Sequence, residues 1–237
     1  MTDNSIFKQN LRYERKFFSY DVDYQQVISS LMSNNIDLIK PYPDRFINNI
    51  YCDTVDYEMY RNGVEGNTNR IKVRIRWYGD LIQKNLKPVL EFKRKFGHVG
   101  DKLKWPLKPC SNVESMQQVF SSIYDIDNFK DDPNLNTVIP QIHPVLVNRY
   151  KRKYFCTHDE KIRITVDSNL LFYPYSVVAS DSFAKNVPLY GTVVEVKYLP
   201  EYQDKVASIV TEIPIRLSKF SKYIQGCEAL TKRRYIL

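Results

Sequence analysis

The stretch 69-NRIKVRIRWYG-79 carries two patterns at once. Taking alternate residues, Arg70, Lys72, Arg74 and Arg76 form one set, and Ile71, Val73, Ile75 and Trp77 form the other. Successive side chains of a β-strand point to opposite faces. The stretch therefore predicts a strand with one cationic face and one apolar face. Its β-branched and aromatic residues suit a strand as well.

The same alternation recurs over Leu11 to Ser19, Asn48 to Asp53, Thr68 to Tyr78, Pro88 to Phe96, Pro144 to Thr157, Lys161 to Asp167 and Tyr190 to Leu199. Helical spacing is rarer. Val22, Val27, Ile28 and Leu31 share a face in residues 21–35, and Val206, Ile209, Val210 and Ile213 do so in residues 201–213. Ser111 and Glu114 are spaced as a capping box, and a further helix is expected near Ser221 to Leu230. Residues 127–144, DNFKDDPNLNTVIPQIHP, read as a surface loop. Strands outnumber helices, so the expectation is an α+β fold built on an antiparallel sheet, as one domain spanning residues 1–237.

Composition narrows the partner. Lys and Arg total 35 against 27 Asp and Glu, a net charge of +8, which favours a polyanionic ligand. Cys52, Cys110, Cys156 and Cys227 lie far apart, as reduced thiols of an intracellular protein do. No glycine-rich phosphate loop is present, so Rossmann and P-loop readings have no support. No apolar run reaches the length of a signal peptide or membrane span, and a soluble protein is expected. His98, His143 and His158 have no carboxylate or cysteine at ligand spacing and are set aside.

The alternation also sorts the charges. Arg12, Glu14 and Lys16 share a parity, as do Glu91, Lys93 and Lys95, then Tyr150, Arg152 and Tyr154, then Arg163, Thr165 and Asp167, then Glu195 and Lys197. Arg15 and Arg94 fall on the apolar side. Charged outer faces are ordinary in antiparallel sheets. Two details point further. Arginine is used heavily, and its planar fork suits phosphate. In three strands a glutamate stands two residues before a lysine: Glu14 and Lys16, Glu91 and Lys93, Glu195 and Lys197. Carboxylates among cations suit a phosphate site that also holds a hard divalent metal.

These residues carry a resemblance. RYERK resembles the Glu-x-Glu-x-Lys signature of the triphosphate tunnel metalloenzymes, with Arg12 where the first glutamate is expected. RIKVRIRWYG, LEFKRK, YKR, RITVD, VEVK and SKFSKYIQG follow in the order of the branch that holds polyphosphate polymerase domains and viral and fungal-type RNA triphosphatases. Within it the chain resembles the RNA triphosphatase domains of giant-virus mRNA capping enzymes.

The resemblance implies a closed antiparallel barrel of about eight strands around a basic tunnel. It implies Glu14 and Glu195, with Glu91 beside them, as ligands of Mg²⁺ or Mn²⁺. It implies Lys16, Arg74, Arg76, Lys93, Lys95, Arg152, Arg163, Lys197, Lys219, Ser221 and Lys222 as the phosphate grip. Glu14, Glu195, Arg76, Lys93 and Arg152 would be catalytic. The implied activity is removal of the γ-phosphate from 5′-triphosphate RNA, with NTPs hydrolysed too. Guanylyltransferase and methyltransferase domains are its expected companions, in a host cytoplasm or virion. The same machinery also suits a polyphosphate polymerase using ATP, and a third reading is a polyanion-binding domain without turnover.

Overall fold

The computed structural model describes residues 12–33, 36–97, 99–110, 116–126, 133–175 and 186–234. Its strands are β1 (Tyr13–Ser19), β2 (Leu38–Ile39), β3 (Arg45–Thr54), β4 (Arg70–Tyr78), β5 (Val89–Phe96), β6 (Val99–Pro106), β7 (Ile142–Thr157), β8 (Ile162–Pro174), β9 (Val187–Leu189) and β10 (Thr192–Tyr198). The helices are α1 (Tyr24–Ser33), α2 (Glu58–Glu65), α3 (Met116–Ser121), α4 (Pro133–Val138), α5 (Gln203–Thr211) and α6 (Lys222–Arg234). The strands join in the order β1-β10-β8-β7-β3-β4-β5-β6, with β2 added to β7 and β9 to β8. The expected α+β antiparallel fold is the one observed. Its contacts cluster into two units that interleave in sequence.

The first unit comprises the described parts of Met1–Arg45, Lys151–Asn169 and Tyr190–Phe220. Here β1 pairs β10 with Lys16 opposite Glu195, and β10 pairs β8 with Glu195 opposite Thr165. One face of these strands presents Phe17, Ile162, Ile164, Val166, Val194, Val196 and Tyr198. Against it pack Val27 and Leu31 of α1 and Val206 and Ile209 of α5. The start of α1 is fixed by a capping box. The Asp23 carboxylate accepts from the Gln25 N–H, and the Gln26 side chain accepts from the Asp23 N–H. Arg15, the apparent misfit on this apolar side, lies over the Tyr198 ring.

The second unit comprises the described parts of Phe46–Tyr150, Leu170–Leu189 and Ser221–Leu237. β4 pairs β3 and β5, and β5 pairs β6. Val73, Ile75, Trp77, Leu90 and Phe92 are buried on one face, where Phe92 meets Trp105 edge to face. Arg94, the second misfit, is bonded by Asp101 across the β5–β6 pair.

Helix α6 is anchored at two points. Gly226 sits so close to the sheet that a Cβ there would meet the Phe172 ring at 2.6 Å. The Tyr223 hydroxyl donates to the buried Asp53 carboxylate at 2.5 Å. Asp53 also accepts from the N–H groups of Thr54, Met59 and Tyr60, and so caps the start of α2. Burial, Cys227 and Asp53 all push the Tyr223 phenol upward, so it stays a donor.

Five elements depart from the sequence reading. The helix α2 and the strands β2, β6 and β9 have no counterpart in it. Residues 133–144 are not a loop: α4 opens on Pro133, whose fixed φ suits a first helical turn, and β7 begins at Ile142. Leu135 and Ile139 are fully buried there, an apolar pair hidden in a polar stretch. The capping box at Ser111 and Glu114 lies outside the described residues, as does His98.

Asp53→Ala removes a cap and a buried hydroxyl partner together. Unfolding in urea should show a loss of about 2 kcal/mol or more. A loss below about 0.5 kcal/mol would mean that Asp53 does not anchor α2 and α6.

Candidate functional site

Each unit carries a charged sheet face, and the two differ in chemistry. In the first unit, β1, β10 and β8 present Glu14 and Lys16, Glu195 and Lys197, and Arg163, Thr165 and Asp167 on one side. Lys16 Nζ lies 2.8 Å from Glu14 and 3.8 Å from Glu195. Lys197 Nζ lies 3.5 Å from Glu14 and 3.8 Å from Glu195. Two carboxylates and two ammonium groups thus form a closed ring of opposite charge. Arg152 extends it: its guanidinium bonds the fully buried Asp167 at 2.5 and 2.7 Å and stands 3.9 Å from Glu195. Such a bidentate pair fixes the orientation of Arg152.

Two hydroxyls border this ring with no hydrogen-bond partner, although both are buried. Thr165 stands in register with Glu195. Ser218 donates its backbone N–H to the Lys16 carbonyl. Buried polar atoms ordinarily find partners in protein groups or ordered water.

Among the described residues no three His, Cys, Asp or Glu side chains gather into a metal cage. Glu14 and Glu195 do fit a hard divalent ion of another kind. Mg²⁺ commonly takes one or two carboxylates and completes its shell with water and substrate phosphates.

In the second unit the charge is almost wholly positive. β4, β5 and β6 place Arg70, Lys72, Arg74, Arg76, Lys93, Lys95, Lys102 and Lys104 on one face, with Glu91 among them. Glu91 is buried and accepts from Arg74 Nε at 2.7 Å and from Lys102 at 2.5 Å, with Arg76 at 3.8 Å. Burial raises its carboxyl, but the three cations outweigh burial and hold it at about 2. Arg76 is steadied by Asn49 at 3.0 Å and the Tyr150 hydroxyl at 3.4 Å.

The start of α6 joins this face. Ser221 accepts from the Ile224 N–H at the first turn and from Lys72 Nζ at 2.9 Å. Lys222 lies over the Tyr150 ring at 4.6 Å. A capped helix start flanked by lysines favours anions.

The structure therefore gathers Glu14, Lys16, Arg152, Glu195 and Lys197 in the first unit. It gathers Arg74, Arg76, Glu91, Lys93, Lys95, Ser221 and Lys222 in the second. Glu91 is surrounded by cations of its own face and acts as their counter-ion. Arg163 shares the face of Glu195 by register, but its guanidinium bonds Glu160 of the preceding turn. Lys219 is exposed. Arg70 turns to the Asn67 carbonyl. Sequence reading missed Lys102, Lys104 and Asn49. In DKLKWP, Lys102 and Lys104 alternate with Leu103 and Trp105, so the parity test reveals them once β6 is taken as a strand.

The VTC domain family profile matches residues 11–231, and the chain belongs to that family. Solved structures share the fold at low identity. A Vibrio parahaemolyticus protein assigned as an adenylate cyclase is 9% identical, with 91% of this chain and 97% of that one covered at a TM-score of 0.53. A Hippeastrum protein assigned as an adenylyl cyclase, and described as having a dominant triphosphatase activity, is 12% identical. It is covered over 96% of its length and 92% of this chain, at a TM-score of 0.52. A Bacillus halodurans protein assigned as an adenylate cyclase is 14% identical over 90% of this chain and 94% of its own, at 0.52. No curated protein matches the chain significantly. Among the described residues no helix is long and apolar enough to cross a membrane.

The Glu91 carboxyl titrates lower in the folded protein than its ordinary value of 4.5. Its contribution to stability is therefore complete above pH 4.5 and fades as pH falls towards 2. Glu91→Gln should cost about 3 kcal/mol at pH 7 and flatten the acid limb of the stability profile. Denaturant titrations from pH 2 to 7 measure both; an unchanged acid limb would show that the cations do not depend on Glu91.

Proposed function

We propose that the protein is a metal-dependent hydrolase that removes the terminal phosphate of a triphosphate, and that its natural substrate is the 5′ end of RNA. The ring of Glu14, Lys16, Glu195 and Lys197 carries this reading, because it pairs metal-type carboxylates with phosphate-type cations on one sheet face. The triphosphatase activity described for the Hippeastrum relative agrees with it. The motif order supports the finer assignment to mRNA capping of the giant-virus type, beside guanylyltransferase and methyltransferase activities.

Glu14 and Glu195 would hold the divalent ion. Mg²⁺ or Mn²⁺, when bound, supplies Lewis acidity to a phosphoryl oxygen and lowers the pKa of a bound water. Lys16 and Lys197 neutralise phosphate oxygens beside the carboxylates. Arg152, locked by Asp167, offers a cation that needs no reorganisation as charge develops, and such preorganisation lowers a barrier most. Arg74 and Arg76 are held in the same manner by Glu91, Asn49 and Tyr150 in the second unit. That face of the second unit suits a phosphate-bearing anion by itself, and Lys72, Lys222 and the start of α6 add to its positive charge.

Release of labelled phosphate from γ-labelled triphosphate RNA and from ATP, with Mg²⁺ and Mn²⁺ compared, tests the reading. Phosphate should appear only with metal. Chains longer than the substrate among the products would make the protein a transferase that builds polyphosphate. Tight binding without turnover in either metal would make it a binding domain.

Glu14→Ala and Glu195→Ala should each lower kcat at least ~100-fold at saturating metal in a folded protein. A rate within about threefold of the parent would remove that residue from the metal site. Arg74→Lys keeps the charge and loses the planar fork, and should cost about tenfold in kcat/KM. Full activity in Arg74→Lys would mean that only charge is read there.

A further inference from the structure

Beyond the phosphate chemistry, β1 carries an aromatic cluster on the same face as its charged pair. Glu14, Lys16 and Phe18 share that face by register with Lys197, Glu195 and Val193. Same-face neighbours on a strand lie about 6.6 Å apart. The Phe18 ring meets Phe220 at 4.3 Å, tilted by 31°, and Tyr20 at 4.6 Å, edge to face. Phe220 is buried beneath, whereas Tyr20 is 60% exposed. The turn bearing Tyr190, 77% exposed, reaches the same place through Gly191. A Cβ at Gly191 would meet the Ser19 carbonyl at 2.3 Å and the Phe18 ring at 3.0 Å.

Tyr20 and Tyr190 expose large rings beside a phosphate-type site, a surface that suits a ligand with one apolar and one anionic end. Lys16 lies one strand step before the cluster, and exposed Lys219 directly precedes Phe220. A phosphorylated nucleotide has this bipolar form: a flat π-face for the rings and an anionic tail for the lysines. Every base can stack on an aromatic ring. We propose that Phe18, Tyr20 and Phe220 form a stacking platform for the first base of a triphosphorylated nucleotide or RNA. The platform makes the site prefer nucleotide substrates over inorganic polyphosphate, without selecting among bases. This deepens the triphosphate reading above and rests on it for the position of the phosphates.

Calorimetry with a non-hydrolysable ATP analogue and with base-free imidotriphosphate tests the platform at fixed Mg²⁺. Tyr20→Ala should weaken the ATP analogue about tenfold and imidotriphosphate less than twofold. Tyr20→Phe should restore the affinity, because the ring and not the hydroxyl stacks. Equal weakening of both ligands, or of neither, would overturn the proposal. So would unchanged analogue binding accompanied by loss of self-association in Tyr20→Ala, which would make the cluster a protein interface. Should the parent protein bind the analogue in this ring-dependent manner yet release no phosphate, only the hydrolase assignment falls.

Discussion

Like charges side by side across β-strands repel, and this protein places them so repeatedly. In the second unit Lys72, Lys93 and Lys102 stand in one cross-strand row, and Arg70 faces Lys95. Opposed like charges destabilise a sheet. Neighbouring groups offset this. The Glu91 carboxylate sits between Arg74 and Lys102, Ser221 takes one bond from Lys72, and the rings of Tyr150 and Tyr51 border Lys222 and Arg74. The rows are thus balanced in part by groups of the fold itself, and the face stays strongly cationic.

The apolar half of each unit is what permits this. Val73, Ile75, Trp77 and Phe92 bury one side of β4 and β5, while Ile162, Ile164, Val194 and Val196 do so in β8 and β10. Hydrophobic burial supplies the stability, and the opposite side is left for chemistry. The two charged faces then differ in carboxylate content. The first holds Glu14, Glu195 and Asp167 among its cations, and the second holds Glu91 alone on β4 to β6. The first face is mixed in sign, and the second is almost wholly cationic.

Strand positions were legible from a period of two, which sorted core from charge in β4, β8 and β10 but not in β3, where Ile47 to Asp53 are all buried. The misfits Arg15 and Arg94 could not be read, since a ring and an aspartate from other strands account for them. β6 escaped notice because glycines at 97 and 100 interrupt its start and no β-branched run follows. α2 is short and polar, and it is held by Asp53, which precedes it by several residues and gives no local signal. The roles of Glu14 and Glu91 looked alike in sequence. Only pairing separates a carboxylate shared by two lysines from one enclosed by Arg74, Arg76 and Lys102.

Gly226 has a consequence for how this protein tolerates change. It touches no phosphate-type residue, yet it sets the distance between α6 and Phe172. A side chain at that position would lift the helix, and Lys222 and Ser221 would be carried away from Lys72 and Tyr150 with it. The position is therefore constrained as tightly as a binding residue, by packing and not by chemistry. Thr231 and Lys232, the exposed residues among the described side chains of this helix, are free of that constraint, so drift along α6 is confined to its last turns.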